Sequence, residues 1–327
     1  MQFKTKILKN SKKNILEVVS KLKSGEVIGL PTETVYGLAG RCDNKNTVEN
    51  IYKIKNRPKN NPLIIHYSNS YDALKDIFAD SRAIELAEKF WPGPLSIVAK
   101  IKSESISKTA LANLDTVAVR VPSNKIFLDI LNKLKIPLAA PSANRYGKIS
   151  PTSAKDVYEE LKSKIAIILD GGPSIIGLES TVVDLTKKDT KIIRYGGLNK
   201  KELSEVIPLK NNNKKIKVFI SPGLSNSHYQ PDTSMRINAI RPRKNEAWLA
   251  FGAIPKNYNG IAISLSKKKC LKETAKNLYK MLRYLDKKKC GKIAVQKIPE
   301  IGLGIAINDR LQRASFKKKN AKKHKNT

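Results

Sequence analysis

Leu30-Pro31-Thr32-Glu33-Thr34-Val35-Tyr36-Gly37-Leu38 is the stretch on which the reading of this chain turns. The short apolar run before it, Val27-Ile28-Gly29-Leu30, reads as a buried strand, and Pro31 ends it because proline cannot donate to a ladder. Two threonine hydroxyls, a carboxylate and a phenol then follow before Gly37. Loops at strand ends carry sites because the scaffold fixes them while their polar groups stay reachable. The segment reads either as a loop that holds a small polar ligand or as an ordinary polar turn capping the next helix.

Working outward, residues 15–23 carry apolar side chains at helical spacing until Ser24-Gly25. Helices are predicted over 47–55 (with Thr47 as N-cap), 81–90, 125–134, about 152–163 and about 199–206. Strands are predicted over 63–67, 95–101, 117–121, 136–140, 165–169, 181–185 and 191–194. Residues 209–217 are polar, and Ser221-Pro222-Gly223 and Pro231-Asp232 have linker chemistry. Strand-like 260–266, an amphipathic helix over 271–286 and strand-like 292–299 follow, with Leu271, Ala275, Leu278, Leu282 and Leu285 along one helix face. This alternation predicts an α/β protein of three parts: 1–208, a linker over 209–234, and a small α/β unit over 235–327 ending in a solvated basic tail.

The composition supports two cores. The chain has 327 residues, 40% of them hydrophobic, which excludes a mostly disordered chain. No apolar run approaches the roughly 18 residues of a membrane helix, and the basic start lacks the apolar stretch of a secretory signal. Cys42, Cys270 and Cys290 form no CxxC, so neither a disulfide framework nor a zinc site is expected, and three scattered His do not change that. These features predict reducing cytosol. The net charge is +35. It has two readings: a polyanion partner, or drift toward AT-rich codons, since 51 of the cations are Lys and only 12 are Arg. Weak nucleic-acid affinity follows from either.

Four more polar segments sit at predicted strand or helix ends. Lys55-Asn56-Arg57-Pro58-Lys59-Asn60-Asn61 sets Arg57 in a loop, because a residue before proline is held extended. The segment suits a triphosphate or, more plainly, the C-terminal end of a helix dipole. Pro141 to Thr152 is rich in hydroxyl and amide groups but matches neither GxGxxG nor GxxxxGKS, so a nucleotide site here is neither Rossmann nor P-loop. Gly177-Leu178-Glu179-Ser180-Thr181 and Arg194-Tyr195-Gly196-Gly197 complete the set.

Together, PTETVYGL (31–38), KNRPKNNPL (55–63), AVRVP (118–122), APSANRYGKISPTSA (140–154), GLESTVVDL (177–185), SPGLSNSHYQP (221–231) and DRLQRA (309–314) resemble the YrdC-like L-threonylcarbamoyladenylate synthase family in its long, two-domain form. The resemblance implies a twisted open α/β sheet with helices, a smaller Rossmann-like α/β domain, and a linker that closes over the active site. It implies that L-threonine, bicarbonate (or CO₂) and ATP become L-threonylcarbamoyl-AMP, pyrophosphate and water. The product would serve a tRNA threonylcarbamoyl transferase complex that modifies the adenosine beside the anticodon. Magnesium is expected on the ATP phosphates, with no protein-held metal and no tightly bound organic cofactor.

By motif, the resemblance assigns Thr34, His66, Arg120, Ala140 and Ser180 to threonine. It assigns Arg57, Asn61, Thr116, Ser142, Asn144, Ser150, Arg194 and Tyr229 to ATP, with Lys55 and Arg57 as the catalytic pair. Tyr195 departs from the Pro or Gln that often follows Arg194 in relatives. Two rival readings stand beside this one: a double-stranded RNA binder without catalysis, and a hydrogenase-maturation carbamoyltransferase. The latter carries zinc-finger Cys clusters that this chain lacks.

Overall fold

The structure, a computed structural model, describes residues 4–210, 228–288 and 290–316. Strands of the first part are β1 (Lys6–Lys9), β2 (Ile28–Leu30), β3 (Gly37–Arg41), β4 (Ile64–His66), β5 (Leu95–Lys100), β6 (Thr116–Arg120), β7 (Leu138–Ala139), β8 (Ile167–Asp170), β9 (Thr181–Asp184) and β10 (Lys191–Arg194). Its helices are α1 (Lys12–Lys23), α2 (Lys45–Lys55), α3 (Ser70–Lys75), α4 (Ser81–Phe90), α5 (Lys125–Leu134), α6 (Ala154–Leu161) and α7 (Lys200–Ser204). The second part holds β11 (Met235–Ala239), β12 (Glu246–Ala250), β13 (Ala262–Ser264), α8 (Leu271–Asp286), β14 (Lys292–Gln296) and α9 (Leu303–Ser315).

The first ten strands form one mixed sheet in the order β1-β8-β2-β3-β7-β4-β6-β5-β9-β10. The last four form a parallel sheet, β11-β14-β12-β13. A parallel sheet needs a crossover between strands, and α8 supplies one between β13 and β14. The predicted α/β architecture, with a large sheet and a smaller parallel one, is what the chain adopts.

The helix starts follow from local chemistry. Ser11, Asn44, Asn69, Asp80, Asn124, Ser153 and Asn199 each accept a backbone N–H of the first turn, a cap that contributes about 1 kcal/mol. The cap of α2 is therefore Asn44 and not Thr47. Thr47 lies inside the first turn, and its hydroxyl donates to Gly25 O instead (2.8 Å). At the other end of α2, Asn56 takes a left-handed φ of 51°, which turns the chain off the helix just before Arg57.

The apolar side chains pack into two large clusters on the faces of the ten-stranded sheet and one around the four-stranded sheet. The last is not confined to the second part. Val35, Ile149 and Leu178 of the first part join Leu249, Leu278, Leu282 and Val295 in one continuous core. Of the expected linker, Leu209, Lys210 and the residues from His228 onward are described. Ser221, Pro222 and Gly223 lie outside the described residues, as does the basic tail beyond Phe316.

Candidate functional site

The six residues 31–36 connect antiparallel β2 and β3, so PTETVY is a strand-to-strand loop and not a helix cap. Thr32 organises it. Its Oγ1 accepts from Thr34 N and Val35 N (3.2 Å each) and donates to Val35 O (2.5 Å), a side-chain turn of the kind threonine makes locally. Two further loops are laced to it through backbone bonds. Tyr36 N donates to Pro151 O, Ala143 N to Tyr36 O, and Ile176 N to Glu33 O.

Parallel β4 and β6 place His66 directly beside Arg120 at their C-terminal ends. Arg120 is buried. Its Nη2 donates to Glu33 Oε1 (2.5 Å) and Thr34 Oγ1 (3.1 Å), and its Nε donates to Gly93 O (3.2 Å). Burial, and the charge of Arg120 next to it, push the His66 imidazole down to about 3, so it is neutral at pH 7. Arg194, from the end of β10, grips Ser180 through its carbonyl and its hydroxyl (2.9 Å each). Ser180 Oγ also meets Ser96 Oγ at 2.8 Å.

Arg57 is held by its own loop: Nε to Asn61 O (3.0 Å), Nη2 to Asn61 Oδ1 (2.5 Å) and to Pro62 O (2.9 Å). Lys55 is wholly buried, and its Nζ donates to Ser142 O (2.5 Å) and Asn144 O (2.6 Å). Burial, and then the charge of Arg57, hold its ammonium well below the usual lysine range. Glu179 accepts from Ser150 Oγ (2.7 Å), Tyr279 OH (3.0 Å to either oxygen) and Arg310 Nε (2.9 Å).

These groups enclose a cavity of about 50 Å³ lined by Thr34, Arg57, His66, Arg120, Ala140, Ser142, Ser180, Arg194 and Tyr229 from the predicted set, with Val35, Pro141, Glu179 and His228 among the rest. Three guanidinium groups against one carboxylate make the wall strongly electropositive. Four predicted residues stand behind it. Lys55 and Asn144 brace the Ser142–Lys148 loop, with Asn144 Nδ2 donating to Arg145 O and Lys148 O (2.8 Å each); Asn61 orients Arg57; Ser150 bonds Glu179. Thr116 does not join them. It opens β6 opposite Lys100, four residues from Arg120, which is roughly 13 Å along a strand. Sequence reasoning missed Glu33, Glu179 and the second-part residues Tyr279 and Arg310 that reach the site.

The residues present do not fit a protein-held metal. Among the described residues no group of three or more His, Cys, Asp or Glu side chains is placed to hold one. The cavity's carboxylate, Glu179, already has both oxygens in hydrogen bonds.

Comparison with known proteins accounts for nearly the whole chain. Residues 20–196 match the Sua5/YciO/YrdC family model, described as telomere recombination, and residues 198–315 match the model described as threonylcarbamoyl-AMP synthase, C-terminal domain. The curated threonylcarbamoyl-AMP synthase of Pyrococcus abyssi is 36% identical, over 90% of this chain and 92% of its own. That of Bacillus subtilis is 34% identical, over 92% of each. The crystal structure of P. abyssi Sua5 complexed with L-threonine superposes with a TM-score of 0.87 at 34% identity, covering 95% of this chain and 98% of that one. With both sheets, the polar loops between them and nearly the whole length accounted for, the chain belongs to the Sua5/YciO/YrdC family, in the two-domain form that carries the Sua5-type C-terminal domain.

Proposed function

We infer that this chain is a threonylcarbamoyl-AMP synthase, joining L-threonine, bicarbonate (or CO₂) and ATP into L-threonylcarbamoyl-AMP with release of pyrophosphate and water. The observation that carries the reading is the convergence of residues scattered along the sequence from Thr34 to Tyr229 on one electropositive cavity. The Pyrococcus relative, crystallised with L-threonine, adds to it.

The chemistry needs position and charge more than a protein nucleophile. Arg120 offers a fixed guanidinium to the threonine carboxylate, and Thr34, His66, Ala140 and Ser180 surround the rest of the amino acid. Bicarbonate gives up an oxygen as water to become CO₂, and the threonine amine, once deprotonated, adds to that CO₂ and forms a carbamate. A carbamate oxygen attacks the α-phosphorus, and the bond to pyrophosphate breaks. Arg57 and Arg194 face the developing charge, and Ser142 and Tyr229 complete the nucleotide side, with Lys55, Asn61, Asn144 and Ser150 holding the loops that present them. Magnesium enters only as the triphosphate's own counter-ion.

The cavity is far smaller than the roughly 300–1,000 Å³ of pockets that take a drug-sized ligand whole, so ATP enters only when part of its wall gives way. In this reading 1–208 is the catalytic domain, 209–234 the linker over the site, and 235–327 the small domain. The product passes to a tRNA-modifying transferase in the cytoplasm. No helix among the described residues is long and apolar enough to cross a membrane. Pyrophosphate release that needs threonine and bicarbonate as well as ATP tests the reading. Release from ATP alone at the same rate refutes it.

A further inference from the structure

The DRLQRA run of α9 lies far from the predicted site in sequence, yet Arg310 is one of the most deeply buried side chains of the molecule, 1% exposed. Its Nε donates to Glu179 Oε2 (2.9 Å) across 131 residues, and its Nη1 donates to Asp309 Oδ2 (2.8 Å). Its guanidinium carbon lies 5.2 Å from the centroid of the Tyr229 ring. Tyr279 of α8 reaches the same two partners. Its hydroxyl donates to Glu179, and its ring stacks on Tyr229 with centroids 5.7 Å apart and planes 24° apart. Glu179 and Tyr229 both line the cavity; Arg310 and Tyr279 do not.

The backbone is shaped for this contact. Gly177 has a left-handed φ of 78°, and a Cβ there would sit 2.6 Å from Ala275 O and Lys276 Cα of α8. A Cβ on Gly196 would sit 2.3 Å from Glu179 O. Only glycine lets the GLEST segment lie flat between α8 and the Arg194 loop. The end of the linker is tied to α9 as well: His228 N donates to Arg313 O (3.4 Å) and Gln230 Nε2 to Phe316 O (2.5 Å).

A buried carboxylate in a cavity lined by guanidinium groups is a hazard for an anionic substrate. Unrestrained, Glu179 would pair with Arg194 or Arg57 and occupy the charge that a triphosphate needs. Removing one partner of a buried pair leaves the other charge uncompensated, whereas removing both is often tolerated. Resting on the synthase reading for the nature of the nucleotide, we propose that Arg310 and Tyr279 of the second domain are positioning residues for ATP, restraining Glu179 and fixing the Tyr229 ring. Burial alone would raise the Glu179 carboxyl, but the charges of Arg310 and Arg194, with the Ser150 hydroxyl, outweigh it and hold the group down at about 2, so what is restrained is an anion.

The test is ATP affinity of the full chain by titration calorimetry, without threonine or bicarbonate, beside threonine affinity measured separately. R310M is expected to weaken ATP at least tenfold and change threonine less than twofold. E179Q/R310M is expected to return ATP affinity to within threefold of the unaltered chain, because a neutral amide at position 179 no longer competes for the cations. R310K, which keeps the charge, is expected to stay within threefold. ATP affinity unchanged in R310M, or a double variant no better than the single one, overturns the proposal. Should R310M not fold, Y279F reads the same restraint: a loss of threefold or more in ATP affinity supports it and no loss overturns it. An unaltered chain that binds ATP but makes no threonylcarbamoyl-AMP overturns the functional reading alone. One that makes product while R310M binds ATP normally overturns this proposal alone.

Discussion

Replacing Arg120 by Met separates two jobs that one side chain performs. Arg120 faces the cavity, where the threonine carboxylate is proposed to sit, and it also neutralises buried Glu33. Only one oxygen of Glu33 is satisfied, through Arg120 Nη2, and Oε2 is buried without a partner. Removing Arg120 strands a carboxylate at 3% exposure, and breaking such a pair from one side costs about 3–5 kcal/mol. At roughly 2–4 °C per kcal/mol for a domain of this size, the melting temperature should fall by roughly 6–20 °C. Threonine should lose roughly 2–5 kcal/mol for its missing charged partner, or about 30- to 4,000-fold in affinity. The second substitution makes the prediction sharp. E33Q/R120M should recover most of the melting temperature, because the stranded charge is gone, and none of the threonine affinity. Scanning calorimetry gives the first quantity and threonine titration the second. An R120M melting temperature within about 1 °C of the unaltered chain, against the fall expected above, refutes the pair as a stability element. Threonine binding restored by E33Q refutes Arg120 as the carboxylate's partner.

Arg57→Ala should slow pyrophosphate release by roughly 10²–10³-fold in kcat, because charge grows on the triphosphate only as the reaction proceeds, while threonine affinity stays within twofold; stopped turnover assays at saturating ATP decide it. His66 and His228 are both held neutral by burial, near 3, whereas an unfolded histidine protonates below about 6.5. The unfolded chain thus binds more protons, and stability present above pH 6.5 is lost as pH falls toward 3, by about 2 kcal/mol per histidine at pH 5. The urea midpoint should drop between pH 7.5 and 5, and less so in His66→Asn; a midpoint flat over that range contradicts the assignment. A chain ended before Ser221 should keep the ten-stranded sheet by circular dichroism yet expose Val35, Ile149 and Leu178, bind a hydrophobic dye and lose synthesis. Full synthesis by that truncated chain would remove the second part from the site.

Much of this site is legible in the sequence because its segments are polar runs at strand ends, and a strand end fixes where a loop points. PTETVYGL, KNRPKNNPL and the Pro141–Thr152 run stand out on that ground, and each contributes side chains to the cavity or to the bonds behind it. Two of the elements missed have a local composition that argues against them. Strand β3 is GLAGR, two glycines in five residues, and is held by neighbours on both sides and not by its own propensity. Strand β1 is KILK, mostly exposed, and is held by pairing with β8 across the chain. Thr116 lies outside the cavity wall, four residues of β6 from the end where Arg120 works. The Glu179–Arg310 bond joins residues 131 apart and leaves no periodicity to read. The one hint is a charged motif, on a helix of the second part, with no surface task of its own.

Isotope transfer tests the central claim most directly. Incubated with ¹³C-bicarbonate, L-threonine and ATP, the protein should yield a species with the mass of threonylcarbamoyl-AMP that carries one ¹³C, formed in step with pyrophosphate and absent when any one of the three is left out. Pyrophosphate released without that labelled product, or a product without the label, would contradict the account.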